Sequence, residues 1–322
     1  MQYFLYCDII PKLLKKLKGK EGIKVFMIKR LYACVREYRL ATWLTPLFIL
    51  GEAVIECLIP YRIANLINNL NDYGVVLESI IKDGLILAAL ACASLICGTC
   101  AAITAAKAGS GFAKNLRHDM YDCIVKYSFA NIDRFSSSSL VTRMTTDVGY
   151  VQMAFMIIIR MAIRCPLMLI FSIIMAYIMG GTLSTMFVIV VPVLAVGLFL
   201  VAKNAMPAFR SVFRKYDKLN ESIEENVSAM RAVKSFVRED YEQEKFTRAS
   251  EDIRKDFTHA ERIVALNSPL MQLCLYFNMA FVLYVGSKLI IGSSGTYINV
   301  GQLSAMITYG FQILSSLMMV AM

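Results

Sequence analysis

Six long, predominantly apolar stretches constrain this chain more than any other feature. They cover residues 41–64, 80–106, 153–178, 183–202, 263–285 and 303–322. Crossing a hydrocarbon core of about 30 Å takes about 20 helical residues, and each stretch reaches that length. Composition agrees: 57% hydrophobic and 18% charged, against roughly 45–50% and 25% in soluble domains. The fold expected is an all-α membrane protein with six transmembrane helices.

The connections set the topology. Residues 65–79 carry only Asp72 and Glu78, the third and fourth spans meet at an uncharged Gly180-Gly181 turn, and residues 286–302 carry only Lys288. Residues 107–152 and 203–262 are long and hold nearly all the remaining Lys and Arg beyond residue 40. Lys and Arg stay on the cytoplasmic side, which places both long loops and the amino terminus inside. The net charge of +10 supports this placement. Ten basic residues among the first 40, from Lys12 to Arg39, oppose only Asp8, Glu21 and Glu37. Such a segment before an apolar span anchors to anionic lipid, so nucleic acid is not expected as a partner.

The long loops read as helices. No Pro or Gly lies between Phe209 and Arg262. Val227, Met230, Val233, Phe236, Val237, Tyr241 and Phe246 recur at helical spacing. About twenty extra residues on each span would carry helices on the order of 30 Å past the membrane.

Motifs for catalysis and nucleotide binding are missing from the sequence. It has no phosphate-binding G-x-x-x-x-G-K-[ST], no dinucleotide fingerprint and no H-E-x-x-H. Nine cysteines form no paired framework, and Cys97-x-x-Cys100 has no second ligand pair to make a metal site. Within the spans, Ala89, Ala93, Cys97, Ala101 and Ala105 recur every four residues, a seam for close helix packing. Glu52 and Glu56 lie one turn apart in the first span, and Arg160 and Arg164 one turn apart in the third. An intramembrane carboxylate faces the bundle interior or a water cavity. Two readings stand for these four residues. They line a substrate pathway, or the carboxylates pair with Arg62 or with Arg160/Arg164 while the arginines snorkel to the interface.

The first long loop contains FANIDRFSSSSLVTRMTTDVGYVQ, with Phe135, Leu140, Arg143 and Asp147 in an aromatic, small-polar, L-x-x-R-x-x-x-D pattern. The second contains NESIEENVSAMRAVKSFVREDYEQEKF, with Glu225, Asn226, Val233, Lys234, Phe236, Arg238, Glu239, Glu242 and Phe246. Both stretches resemble the cytoplasmic loops of the transmembrane domain of ABC exporters of the multidrug, lipid and peptide type. The spans look most like the bacterial branch whose half-transporters pair as heterodimers.

The resemblance implies an ABC transporter type 1 transmembrane domain over residues 41–322, preceded by a basic cytoplasmic segment over 1–40 with an amphipathic elbow helix near 25–39. It implies a multi-pass protein of the cell membrane that dimerises with a second half-transporter, identical or not, and forms the export pathway. It further implies short coupling helices near residues 128–134 and 230–238 that seat on nucleotide-binding domains. Asn131, Asp133, Arg134, Arg231, Lys234, Arg238 and Glu239 would contact the ATPase module, with Phe135 and Phe236 as buried anchors, either there or in the hairpin core. ATP and Mg would sit on that module, with no cofactor, metal or catalytic residue in this chain. The family's half-transporters continue from the sixth span into a nucleotide-binding domain, so a chain stopping at Met322 reads as truncated. A regulatory membrane subunit and a stand-alone secondary transporter are the alternatives.

Overall fold

The computed structural model describes residues 31–71, 77–127, 137–293 and 298–321. Every element among them is helical. A 3₁₀ turn at Arg36–Tyr38 leads into α1 (Arg39–Asn71) and α2 (Leu77–Val125). After α3 (Ser137–Thr142) comes one π-helical turn, Arg143–Asp147, and then α4 (Val148–Gly180). Next are a 3₁₀ turn at Gly181–Ser184, α5 (Thr185–Ser228), α6 (Met230–Ser235), α7 (Glu239–Ala265), α8 (Asn267–Ser293) and α9 (Val300–Ala321).

Five helices among the described residues are long and apolar enough to cross a membrane. Four of the six expected spans fall one to a helix, and the third and fourth share the 90-residue stretch Ser139–Ser228. That stretch is divided at the expected turn, where Gly181 has φ +50°, a conformation glycine adopts without steric cost. Beyond their apolar spans, α2 and α5 continue as helix for about 30 and 40 Å. Only 6% of the most apolar window of α2 is buried within this chain.

The chain forms two compact units, Met1–Ile63 with Asp72–Phe171, and Ala64–Asn71 with Ser172–Met322. In unit 1, small residues bring α1, α2 and α4 together: Ala41, Ala105, Ala108 and Ile159 form one buried cluster against Phe155. The hydroxyl of Thr45 donates to the Ala41 carbonyl at 2.9 Å and stands 3.0 Å from the Thr104 hydroxyl. The small-residue seam therefore works at its C-terminal end. Ala101 and Ala105 are buried, whereas Ala89 is exposed. The same unit ties residues 34–36 to α2. Cys34 and Val35 pack with Phe112, Ala113, Leu116 and Val148, and the Phe112 and Phe155 rings stack at 4.6 Å. Asn115 donates to the Cys34 carbonyl at 3.0 Å, and Arg36 meets Asp119 at 2.5 Å.

In unit 2, Met186, Val190, Leu194, Leu198, Cys274 and Leu314 join α5, α8 and α9. The end of α1 reaches α9 closely. The Gly301 amide donates to Asn68 Oδ1 at 2.9 Å, and a Cβ at Gly301 would overlap the Ala64 carbonyl oxygen. Ser172 donates to Gln312 Oε1 at 3.1 Å. The helices α5 and α7 run antiparallel. Phe209 faces Phe257 edge-on at 6.1 Å, Lys215 meets Asp256 at 2.7 Å, and Asn226 donates to Glu242 at 2.8 Å. Numbers rise along one helix as they fall along the other, with Val212, Ile253 and Ala260 buried between.

Candidate functional site

Two features collect the residues singled out in the sequence: a charged cluster in unit 1 and the tip of the α5–α7 hairpin in unit 2. The cluster lies midway along the first span. Glu52 and Glu56, one helical turn apart on α1, face the same side. Arg164 of α4 reaches both. Its Nη2 donates to Glu56 Oε1 and Oε2 at 2.7 and 2.9 Å, and its Nη1 stands 3.3 Å from Glu52 Oε1. The first two distances are those of a strong charge-assisted pair and the third is longer. Glu52 is 8% exposed, and its Oε2 is buried without a hydrogen-bond partner. From α2, Gly98 leaves the space that Glu52 fills; a Cβ there would stand 3.0 Å from Glu52 Oε1.

Of the pairings open in the sequence, the structure forms the one with Arg164. Arg62 and Arg160 make no ion pair among the described residues. Arg160 instead lines a cavity of about 410 Å³ with Ala102, Gly149, Gln152, Met156 and neighbouring residues. The role of Gly98 had no signal in the sequence. Its importance depends on which face of α1 turns toward α2. Asn278, 2% exposed with Oδ1 unpartnered, is a second residue the sequence did not mark.

The hairpin tip is built differently. The helix α5 ends at Ser228, and the six-residue α6 follows directly, with Val237 at φ +52° turning the chain into α7. The Arg238 amide closes this turn on the Val233 carbonyl at 3.0 Å. The Arg238 guanidinium lies 5.8 Å from the centre of the Tyr241 ring, within cation–π range. Arg231, Lys234, Arg238 and Glu239 are all exposed. Phe236 and Val237 are 77% and 82% exposed. Phe236 is therefore not part of the hairpin core, one of its two expected roles, because α6 ends before it can fold back between α5 and α7. Asn131, Asp133, Arg134 and Phe135, and with them the first expected coupling helix, lie outside the described residues.

His118, Asp119 and Asp122 bring ligand atoms within 4.8 Å of one another. Their contacts have an internal explanation, since Asp119 holds Arg36 and His118 meets Asp122 at 3.1 Å.

Comparison with known proteins places these features. The family model of the ABC transporter transmembrane region matches residues 42–317. An uncharacterized ABC transporter ATP-binding protein of Bacillus subtilis (strain 168), YfiB, is 26% identical over 288 residues, 88% of this chain and 49% of that protein. An uncharacterized ABC transporter ATP-binding protein of Mycobacterium tuberculosis (strain ATCC 25618 / H37Rv) is 28% identical over 244 residues, 76% of this chain and 41% of its own length. An ATP-dependent lipid A-core flippase of Aromatoleum aromaticum is 29% identical over 188 residues, 57% of this chain and 31% of that protein. The chain spans about half or less of the length of these relatives. Its long apolar helices, their extensions and the matched region agree: this multi-pass membrane chain belongs to the ABC transporter transmembrane region family.

Proposed function

We propose that this chain is the membrane portion of an ATP-driven exporter in the cell membrane, with the amino terminus and both long loops cytoplasmic. It builds the translocation pathway with a second half-transporter, identical or not, and takes its motion from nucleotide-binding domains that seat on the hairpin tips. The chain comprises the basic segment 1–40 and the membrane domain 41–322. ATP and Mg belong to the nucleotide-binding domains, because this sequence has no phosphate-cradling loop to hold them. Hydrolysis there supplies the energy, and α6 transmits displacement into α5 and α7. The cargo is an amphiphile (drug-like, lipid or peptide), and Glu52, Glu56, Arg160 and Arg164 lie along its route.

The observation that carries the reading is the hairpin tip. A short helix with Phe236 and Val237 exposed stands at the end of a charged helical extension, where the family places its contact with the ATPase module. Exposed large apolar side chains grouped at one tip mark an interaction site, and Arg231, Lys234, Arg238 and Glu239 provide a charged rim.

The test uses the complete transporter in proteoliposomes. Reversing Arg238 and Glu239 together and truncating Phe236→Ala should each leave membrane insertion intact while lowering substrate-stimulated ATP hydrolysis and transport several-fold. Unchanged coupling in both variants would show that the tip is merely solvated and would remove the reading.

A further inference from the structure

Along α4, from Gly149 to Met161, a cavity of about 410 Å³ lies against Ala102 and Ala105 of α2. Small side chains make the room, and close contacts bound it: Ile159 packs on Ala105, and a Cβ at Gly109 would overlap Met156. The volume lies within the roughly 300–1,000 Å³ of small-molecule sites. Much of the wall is apolar, with Met153, Met156, Ile157 and Met161 on α4. Met153 and Ile157 are exposed, so the cavity opens at the surface of unit 1. Two polar side chains line it, Gln152 and Arg160. Neither makes a hydrogen bond or an ion pair among the described residues.

Ile159, next to Arg160, packs with Ala41 at the start of the first apolar span and Ala105 at the end of the second. Arg160 therefore stands at an edge of the hydrocarbon, on the side from which the charged extension of α2 leaves. A guanidinium is always ionised, and at this depth it needs oxygen partners. The carboxylates of α1 do not supply them: Glu52 and Glu56 close on Arg164, and no carboxylate lines the cavity. The bilayer does. A phosphate head accepts two parallel hydrogen bonds from a guanidinium, and flexible Met side chains adapt to acyl chains. A free phosphate would gain nothing from the apolar wall. A zwitterionic head would bring an ammonium that no acid in the wall can meet.

We infer that this cavity binds one anionic phospholipid of the bilayer, its phosphate on Arg160 and Gln152 and the first part of its chains against the methionines. The tails remain in the surrounding hydrocarbon. Because α2 and α4 build the site together, a bound lipid favours the spacing these helices have here. The inference rests on the cavity and not on the route proposed for the cargo, so it can fail while that reading stands.

The experiment is native mass spectrometry of the complete transporter in detergent, titrated with phosphatidylglycerol or phosphatidylcholine of identical chains. Wild type should bind the first phosphatidylglycerol about fivefold more tightly than phosphatidylcholine, the discrimination of one basic side chain at an anionic lipid. Arg160→Gln should lose that preference while binding phosphatidylcholine as wild type does, and Arg160→Lys should keep most of it. Ala102→Phe fills the cavity without changing charge and should weaken phosphatidylglycerol to the level of Arg160→Gln. Glycerol phosphate, a similar head without chains, should not displace the lipid at equal concentration. The inference is overturned by equal affinity of wild type for the two lipids, by a preference that survives in Arg160→Gln, or by Ala102→Phe binding like wild type. Displacement by glycerol phosphate would overturn it too, since the site would then be one for soluble anions. The readout needs no ATP hydrolysis, so it is independent of the test at the hairpin tip.

Discussion

Inside its apolar helices, unit 1 uses ions: Arg164 binds Glu56 at 2.7 and 2.9 Å and stands 3.3 Å from Glu52. Unit 2 uses neutral groups over the same kind of helix: the Gly301 amide on Asn68 at 2.9 Å and the Ser172 hydroxyl on Gln312 at 3.1 Å. The two designs fail differently. Neutral contacts between membrane helices contribute about 0.6 kcal/mol each, because the separated helices find other partners. An ionic cluster contributes little net stability when complete, yet removing one partner strands a buried charge. Unit 1 is therefore poised to respond to a single change of charge, and unit 2 is held by shape.

The largest effect should come from the cation. Arg164→Met leaves Glu52 and Glu56 facing each other with no counter-charge, and should lower stability by about 3 kcal/mol, the lower end of the range for breaking a buried pair because Arg164 keeps some exposure. Arg164→Lys should recover most of that loss but not the two-pronged bond to Glu56, since an ammonium is a point charge. Unfolding in mixed micelles measures both. A loss in Arg164→Met no larger than that from deleting a neutral hydrogen bond would erase the contrast between the units.

How much of this was legible beforehand follows the reach of local pattern. Helical periodicity and the missing Pro and Gly between Phe209 and Arg262 indicated long helical extensions, and α5 and α7 are those helices. The resemblance implied a short helix near residues 230–238, and α6 (Met230–Ser235) stands there. The spacing of Glu52 and Glu56 put them on one face. Their choice of Arg164 over Arg62 or Arg160 was not legible, since it depends on the rotation of α4, whose Arg164 is 108 residues from Glu56. Gly98 and Gly301 were silent for a related reason: each matters only through an atom on another helix. The seam from Ala89 to Ala105 was half right, because a four-residue repeat gives a face but not the length over which a neighbour covers it. Phe236 lies on an apolar stripe, yet the hairpin leaves its side chain exposed, because a stripe gives a face and not what lies against it.

The next effect tests whether shape does hold unit 2. Any side chain at Gly301 overlaps the Ala64 carbonyl oxygen and crowds Asn68. Backbone cannot move aside as a flexible side-chain end does, so Gly301→Leu should destabilise by about 2 kcal/mol through overpacking. The substitution changes no charge, so its cost should not vary with salt or with substitutions at Glu52. Coupling between Gly301→Leu and Glu52→Gln in a double-mutant cycle beyond about 0.5 kcal/mol would show that the two designs are not independent.

The smallest effect sharpens the contrast from the neutral side. Ser172 sits fully buried in α4, and its hydroxyl donates to Gln312 Oε1 on α9. Ser172→Ala removes that donor and little volume, so it should cost about 0.6 kcal/mol. Gln312 is half-buried and can turn to another partner, which limits the penalty left on its own side. Measured beside Arg164→Met under the same conditions, the two losses should differ about fivefold. A Ser172→Ala loss approaching that of Arg164→Met would mean that unit 2 also depends on a single polar contact. The difference between the units would then be one of charge type alone and not of how far each tolerates the loss of a partner.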